Sequence, residues 1–157
     1  MAASRVPLHV FKQIWQTLAL GKTFDKVFQK VDIVPTSASR CRCELTVEEE
    51  HMNGQGTLHG GFVMSLADYA TLFAVVLSTN GQLGVSVEHN MSFLRSARLG
   101  DKVAMEAEVM KVGKTLAFTK AELFNASGQL LATGKHTVFT GNSRTVQEII
   151  KSMAEGK

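Results

Sequence analysis

A single acidic residue lies inside a long apolar segment of the chain. Asp68 is the only charged residue between Phe62 and Leu77, and the apolar residues of this segment occupy every side of a helical wheel. Burying an ionised carboxylate without partners is costly, so Asp68 needs either compensating contacts or a chemical use. Partial burial strengthens a carboxylate as a base, which suits activation of water or attack on a carbonyl. A carboxylate paired across an interface for structure alone is the alternative.

Two glycines, Gly60 and Gly61, stand where this apolar helix is expected to begin. The first N–H groups of a helix lack intrahelical acceptors, and glycine lets a ligand approach them closely. Preorganised N–H donors aimed at a carbonyl oxygen that gains negative charge are worth roughly 10²- to 10³-fold in rate. Tight packing of the helix against a strand would explain the same pair, so both interpretations stay open.

The spacing of Gly60 and Asp68 constrains any chemistry that they share. Eight residues separate them, which at about 1.5 Å per residue is roughly 12 Å along one helix. One carbonyl therefore cannot contact both. If both act on the same carbonyl, two copies of the helix must run antiparallel, with Gly60 of one chain facing Asp68 of the other. The spacing then predicts a two-fold dimer with two composite sites.

The elements around this helix predict an α+β fold. Six segments have the alternating, β-branched pattern of strands: Val27–Val34, Arg40–Val47, Gly84–Leu94, Lys102–Val112, Thr115–Phe124 and Leu130–Phe139. The order along the chain is two strands, one buried helix and four consecutive strands. This order indicates an antiparallel sheet wrapped around one long central helix. The edges of such a sheet can be extended or covered by a second copy.

The two ends of the chain predict short helices. A single apolar stripe of Phe11, Ile14, Trp15 and Leu18 predicts an N-terminal amphipathic helix within residues 1–23, which docks on the domain in preference to a membrane. Residues 24–141 are expected to form the main domain. The extension 142–157 contains a weaker helical pattern, Thr145–Met153.

Composition limits the function classes. The chain has 157 residues, 45% of them hydrophobic and 20% charged, which is typical of one globular domain. The net charge of +3 comes from scattered basic residues, which favours a small phosphorylated ligand over nucleic acid. Cys41 and Cys43 alternate on a predicted strand, so we expect two buried, reduced thiols and no structural zinc site.

The sequence shows no secretory signal and no evident membrane-spanning segment, so we expect an intracellular protein without stable membrane insertion. The first 24 residues carry Arg5, Lys12 and Lys22, with no acid before Asp25. This pattern also suits a mitochondrial presequence. The cytoplasm and the mitochondrion therefore both stay open as locations.

Several blocks of sequence surround the residues described above. In chain order they are Val47-Glu48-Glu49-Glu50-His51, Asn53, Gly56-Thr57-Leu58-His59-Gly60-Gly61, Asp68, Gly84-Val85-Ser86-Val87, Asn90, Gly113-Lys114-Thr115-Leu116-Ala117-Phe118-Thr119 and Gly134-Lys135-His136-Thr137. With these blocks, the chain from about Phe24 to Gly141 resembles the hotdog-fold thioesterases of the phenylacetate-degradation type, in particular their animal acyl-coenzyme A branch. His89, beside Glu88, departs from the family pattern.

The resemblance implies a hotdog fold and hydrolysis of medium- to long-chain fatty acyl-coenzyme A, without a metal or organic cofactor. Asp68 would activate water or attack the thioester, and Ser86 of the same subunit would orient that water. The Gly60 N–H and the Asn53 side chain of the opposing subunit would polarise the carbonyl. His59 would position the loop or the sulfur, unless it is a structural histidine.

The family pattern also implies contacts to the rest of the substrate. Gly61 would lie at the substrate, and Lys111, Lys114 and His136 would reach the coenzyme A phosphates, although each of these three could be a solvated strand residue. A homo-oligomer is expected, a dimer or a dimer of dimers.

Two other functions stay open at this point. A non-catalytic acyl-coenzyme A-binding module would keep the groove and use Asp68 structurally. A hydratase or dehydratase of the same fold would usually need a His/Asp or His/Glu acid–base pair at the acyl α and β carbons. The pair of Asp68 and Ser86 suits attack of water on a carbonyl better.

Overall fold

A computed structural model describes residues 8–79 and 81–154 of the chain. Within these residues the helices are α1 (Leu8–Ala19), α2 (Gly60–Ser78) and α3 (Val146–Ala154). The strands are β1 (Asp32–Ser37), β2 (Arg40–Thr46), β3 (Val85–Phe93), β4 (Lys102–Val112), β5 (Leu116–Asn125) and β6 (Leu130–Phe139). Short 3-10 turns cover Phe24–Phe28 and Glu49–His51. The targeting role considered for Arg5 falls outside the described residues.

The six strands form one antiparallel sheet in the order β1-β2-β4-β5-β6-β3. Strand β3 follows α2 in the chain and lies at the opposite edge of the sheet from β1, where it pairs with β6. Strands β1 and β3 are therefore the two edges. The predicted α+β architecture, a sheet around one long helix, is confirmed.

Helix α2 is the core helix of the domain, because most of its apolar side chains are buried against the sheet. Leu66, Ala67, Ala70, Ala74 and Val76 are all fully buried. By length and composition α2 could also cross a membrane, but its packing against strands of the sheet identifies it as a core helix. The carboxylate of Asp68 is therefore held on a core helix, on the face of that helix that is only partly buried.

Successive side chains of a strand point to opposite faces, so the two faces of this sheet differ in polarity. Cys41 and Cys43 of β2 are buried and free, as predicted, and the Cys41 Sγ lies 2.9 Å from the Ala70 carbonyl oxygen of α2. The outer face carries ion pairs between neighbouring strands, among them Arg40–Glu108 at 2.6 Å and Arg42–Glu106. Helix α2 therefore covers the inner face only.

The first predicted strand is displaced in the structure. Val27 belongs to a 3-10 turn. Strand β1 begins at Asp32 and continues through Pro35, although the predicted strand ended at Val34. Proline is tolerated here because β1 is an edge strand and pairs only with β2. The pairing also shifts register between Pro35 and Ser37.

The flanking helices dock on this body. In α1, Ile14 and Trp15 are buried, and Trp15 Nε1 donates a hydrogen bond to the Val31 carbonyl at 3.0 Å. Helix α3 begins with buried Val146, whose N–H donates to the Gly81 carbonyl at 2.8 Å. Both predicted terminal helices are confirmed.

Candidate active site

Asp68 and Ser86 are in direct contact. The Ser86 hydroxyl, on edge strand β3, donates a hydrogen bond to Asp68 Oδ1 at 2.7 Å. The side chain of Asp68 is 28% exposed, so it is partly buried and still reachable from solvent. The structure therefore brings together the carboxylate and the hydroxyl that the sequence selected.

Two histidines lie beside this carboxylate. The antiparallel register of β3 and β6 places His89 opposite His136, and their rings stack with centroids 4.6 Å apart. His136 Nε2 lies 3.4 Å from Asp68 Oδ1, and His136 Nδ1 lies 2.7 Å from the Thr71 hydroxyl oxygen. One polar cluster therefore lies between α2, β3 and β6. Its members are Asp68, Thr71, Ser86, His89 and His136.

Burial keeps both histidines of this cluster neutral near pH 7. The pKa of His136 falls to about 4, because loss of solvation outweighs the attraction of the Asp68 carboxylate for a proton. Burial also lowers the pKa of His89, against the same opposing effect of Asp68. The negative charge of Asp68 is therefore not balanced by an imidazolium.

The beginning of α2 is organised around His59. His59 is the N-cap residue, and its Nδ1 accepts a hydrogen bond from the Gly61 N–H at 2.8 Å. The Gly60 N–H has no acceptor within the described part of the chain. Gly60 therefore keeps a free donor, whereas the Gly61 N–H that the sequence placed at the substrate is already engaged.

Asn53 orders the loop that precedes α2. Its Oδ1 accepts hydrogen bonds from the N–H groups of Gln55 and Thr57, and its Nδ2 donates to the Thr57 hydroxyl at 2.9 Å. Gly56 closes the turn with a φ of +76°, a conformation that favours glycine. One hydrogen of the Asn53 amide group remains free to donate to a ligand.

These groups do not meet within one chain. Gly60 is the first residue of α2, and Asp68 lies about two turns further along the same helix. The separation of roughly 12 Å expected from helix geometry therefore applies. A composite site that joins Asp68 of one copy to Gly60 and Asn53 of another stays a prediction.

The residues predicted to bind phosphate divide into two groups. Lys111 at the end of β4 and Lys114 in the following turn are exposed, and their role stays a prediction. The prediction for His136 is wrong, because the residue is only 1% exposed and faces Asp68. Its strand neighbour Lys135 points outward instead.

A groove of about 750 Å³ on the outer face of the sheet contains none of the predicted site residues. Charged residues such as Lys30, Arg42, Glu44 and Glu106 line it, and several of these are already paired with one another. Such surface pairs are typical of a solvated face. The candidate catalytic residues therefore lie around Asp68 and not in this groove.

Sequence reasoning did not predict the contact of His89 and Thr71 with His136. The β3–β6 pairing joins segments far apart in the chain, and no local pattern specifies it. One signal was available, since His89 departs from the family pattern in a strand that otherwise follows it. Thr71 lies three residues after Asp68 on α2, so the two side chains share a helix face.

Comparisons with known proteins find similar sequences over most of the chain. Residues 55–132 match the model of the thioesterase superfamily. The chain is 39% identical over 132 residues to acyl-coenzyme A thioesterase 13 of Homo sapiens, covering 83% of this chain and 94% of that protein. It is also 39% identical over 127 residues to a putative esterase of Caenorhabditis elegans, covering 80% of this chain and 75% of that protein.

Solved structures show the same similarity. Zebrafish thioesterase superfamily member 2 superposes with a TM-score of 0.83 at 38% identity, covering 87% of this chain and 99% of that one. The PaaI protein from the phenylacetic acid degradation operon of E. coli has a TM-score of 0.73 at 24% identity, covering 86% and 96%. This last match concerns the fold alone.

Proposed function

Because the chain belongs to the thioesterase superfamily, we propose that it hydrolyses the thioester bond of medium- to long-chain fatty acyl-coenzyme A, with Asp68 as the general base or nucleophile. The observation that carries this proposal is the 2.7 Å hydrogen bond from Ser86 to Asp68 Oδ1. It fixes the orientation of the one carboxylate on an otherwise apolar helix. The other oxygen, Oδ2, receives no hydrogen bond from the described residues and is available to a water molecule.

With Asp68 as the base, a water molecule is the nucleophile. Water bonds to the carbonyl carbon of the thioester as Asp68 takes its proton, and the carbonyl oxygen gains negative charge. The Gly60 N–H and the free Asn53 N–H donate hydrogen bonds to that oxygen. The C–S bond then breaks and the fatty acid is released. The coenzyme A sulfur accepts the proton that Asp68 took from water.

A second copy of the chain supplies Gly60 and Asn53 in this proposal. Edge strand β3 supports this arrangement, because Val85 and Val87 are 66% and 60% exposed on its surface. Apolar side chains on an unpaired strand edge are a ready surface for association. Because Ser86 lies between these valines, association along β3 would place the neighbouring chain next to Asp68.

The proximity of His136 to Asp68 raises the hydratase alternative again, because a His/Asp pair can move protons between the acyl α and β carbons. Burial of His136 favours hydrolysis over this role. A catalytic acid or base must come within hydrogen-bond reach of the proton that it transfers, and the His136 ring is 1% exposed. Asp68 is the member of the pair that a substrate can reach.

The first experiment is a hydrolysis panel of acyl-coenzyme A substrates from acetyl to palmitoyl, followed by release of free thiol. We expect Asp68→Asn to fold normally and to lower turnover by orders of magnitude. Asp32→Asn, an exposed change on the opposite sheet edge, is the matched control and should keep wild-type rates. Normal hydrolysis by Asp68→Asn would eliminate the assignment, and substrate binding without thiol release by the wild type would indicate a non-catalytic binding module.

The second experiment tests the shared site by mixing subunits. Asp68→Asn and Asn53→Ala each disable both sites of their own homodimer. A hybrid dimer contains one site with both partners intact, so mixing should restore activity in proportion to the hybrids formed. If verified subunit exchange gives no recovery, the site is not shared between chains.

A further inference from the structure

The cluster at Asp68 combines three potential metal ligands from three elements. Asp68 of α2, His89 of β3 and His136 of β6 each present one ligand atom, and these atoms all lie within 4.8 Å of one another. Two imidazole nitrogens and one carboxylate form a ligand set that Zn²⁺ and similar ions accept. In the reaction proposed above, only Asp68 of this set has a role.

The two imidazoles carry buried nitrogens without partners. His89 Nε2 and His136 Nε2 are both inaccessible to solvent and make no hydrogen bond within the described residues. Buried polar atoms are nearly always hydrogen-bonded, so an unpartnered pair indicates a missing group. Both histidines belong to the ligand cluster with Asp68, and His136 Nε2 lies 3.4 Å from Asp68 Oδ1.

In one of its two tautomers, His136 donates from Nδ1 to Thr71 and keeps Nε2 free to bind a ligand. The single hydroxyl proton of Thr71 can reach the helix carbonyls of Ala67 and Asp68, at 2.8 and 2.9 Å. When it donates there, its oxygen accepts from His136 Nδ1–H at 2.7 Å, and the lone pair of His136 is on Nε2. That lone pair then faces the negatively charged Asp68 Oδ1 at 3.4 Å.

An ion between these atoms would remove the electrostatic conflict. A metal-bound histidine usually donates its other ring N–H to a neighbouring acceptor, which fixes the ring in place. The Thr71 oxygen is in the position of that acceptor. Ser86 holds the Asp68 carboxylate in the same way through its 2.7 Å hydrogen bond.

We propose that Asp68, His89 and His136 bind a divalent transition metal of the Zn²⁺ type, and that the bound ion inhibits hydrolysis. Three protein ligands leave the fourth tetrahedral position to water. The inhibitory part rests on the function proposed above, because it requires Asp68 to be the base or nucleophile. A cation bound to Oδ1 withdraws negative charge from the whole carboxylate, so Oδ2 becomes a weaker base and a weaker nucleophile towards a carbonyl.

Binding is measured with Co²⁺, a spectroscopic substitute for Zn²⁺, added to the metal-free full chain. We expect one ion per chain, with visible absorption of a four-coordinate nitrogen and oxygen site. His89→Leu and Asp68→Asn should each lose this absorption. Thr71→Val keeps all three ligands and should weaken binding by roughly 10- to 100-fold. His59→Gln removes a histidine outside the cluster and should bind as the wild type does.

Several outcomes would overturn the site. They are the absence of cobalt binding, unchanged binding in both His89→Leu and His89→Gln, and a thiolate charge-transfer band, which would place the ion at Cys41 or Cys43. His89→Gln is included so that a folding defect of His89→Leu cannot decide the result.

The inhibitory effect is measured separately by titrating Zn²⁺ into the hydrolysis assay. Activity should fall in parallel with occupancy in the wild type and should be restored by a chelator. Cobalt binding without any change in hydrolysis would disprove the inhibitory role. A chain that binds cobalt at this cluster but hydrolyses no acyl-coenzyme A, with or without metal, would instead refute the proposed function and leave the metal site intact.

Discussion

Ser86 and Asp68 are joined by a 2.7 Å hydrogen bond that connects edge strand β3 to core helix α2. Strand β3 pairs with β6 alone, and its burial pattern is the most exposed of the strands described. A side chain on this strand nevertheless orients the one carboxylate of α2. The edge of the sheet and the candidate reaction centre are therefore a single structural unit.

Ser86→Ala should lower kcat by roughly 10- to 100-fold, because a hydrogen bond to a charged group is worth about 1.5–3 kcal/mol. The fall should appear in kcat more than in KM, since the hydroxyl orients Asp68 and not the bulk of the substrate. Steady-state kinetics of thiol release measure both constants. Ser92→Ala, an exposed serine on the same strand, is the matched control. Equal kcat values for Ser86→Ala and the wild type would remove Ser86 from the mechanism.

Gly60→Ala should show whether Gly60 is needed for hydrolysis or only for the packing of the fold. A Cβ at this position would meet the Phe93 ring at 3.5 Å, an ordinary van der Waals contact. Alanine also favours a helix over glycine by roughly 0.5–1 kcal/mol, so the variant should be as stable as the wild type or more stable. Hydrolysis should fall because the methyl group obstructs the approach of a carbonyl to the N–H.

The measurements for Gly60→Ala are urea unfolding and the hydrolysis panel. Gly61→Ala is an informative comparison, because its Cβ would lie 3.0 Å from the His59 ring and would shift that ring by a few tenths of an ångström, which disturbs its hydrogen bond from the residue 61 N–H. It should lose stability as well as activity. A Gly60→Ala variant that is stable and fully active would show that the Gly60 N–H is not used.

The fold was largely predictable because its signals are local. The apolar residues on all sides of the helical wheel predicted α2. Alternation predicted six strands, and the positions of the last five are approximately confirmed. The family resemblance read from the motifs is confirmed as well. The predicted end of the first strand was wrong because a proline such as Pro35 usually indicates a turn. Proline is tolerated in an edge strand, but whether a strand lies at an edge depends on tertiary structure.

The site was predictable only in part. The pairing of Asp68 with Ser86 followed from family motifs, whereas the His89–His136 stack depends on the register of β3 against β6. Register of distant strands is set by packing of the whole sheet and not by the residues of either strand. His136 was therefore placed at a phosphate, although its neighbours in space are Asp68 and Thr71.

Trp15→Ala should destabilise the fold by about 3–5 kcal/mol, the usual cost of removing a buried large aromatic side chain. Trp15 is 5% exposed and its ring lies 5.3 Å from that of Phe73 and 5.8 Å from that of Phe28, between centroids. Because it is the only tryptophan of the chain, unfolding is followed by circular dichroism. A loss below about 1 kcal/mol would show that α1 does not contribute to the core.

Trp15→Phe is the matched variant for the hydrogen bond. It keeps an aromatic ring and removes the Nε1 donor to the Val31 carbonyl. The expected loss is smaller than that of Trp15→Ala, because one neutral hydrogen bond is worth about 0.5–1.5 kcal/mol. Equal losses in the two variants would mean that the hydrogen bond, and not the packing of the ring, attaches α1.

The stability of the protein should fall as the pH decreases from about 6.5 towards about 4, because of His136. Its pKa is about 4 in the folded protein, below the ordinary histidine value of 6.5. In this window the unfolded chain binds a proton at His136 and the folded chain does not, so acid favours unfolding. The contribution is complete above the unfolded pKa and is lost as the pH approaches the folded pKa. Burial lowers the pKa of His89 and of His51 as well, and both act in the same direction.

Urea unfolding of the wild type and of His136→Gln at several pH values between about 7 and about 5 measures this effect. Glutamine does not titrate in this range, so the variant lacks the contribution of residue 136 while His89 and His51 remain. The stability difference between wild type and variant should therefore be largest near neutral pH and should shrink as the pH falls. A difference that stays constant across the series would mean that His136 takes up a proton equally in the folded and unfolded chains, and would contradict its burial as a neutral ring beside Asp68.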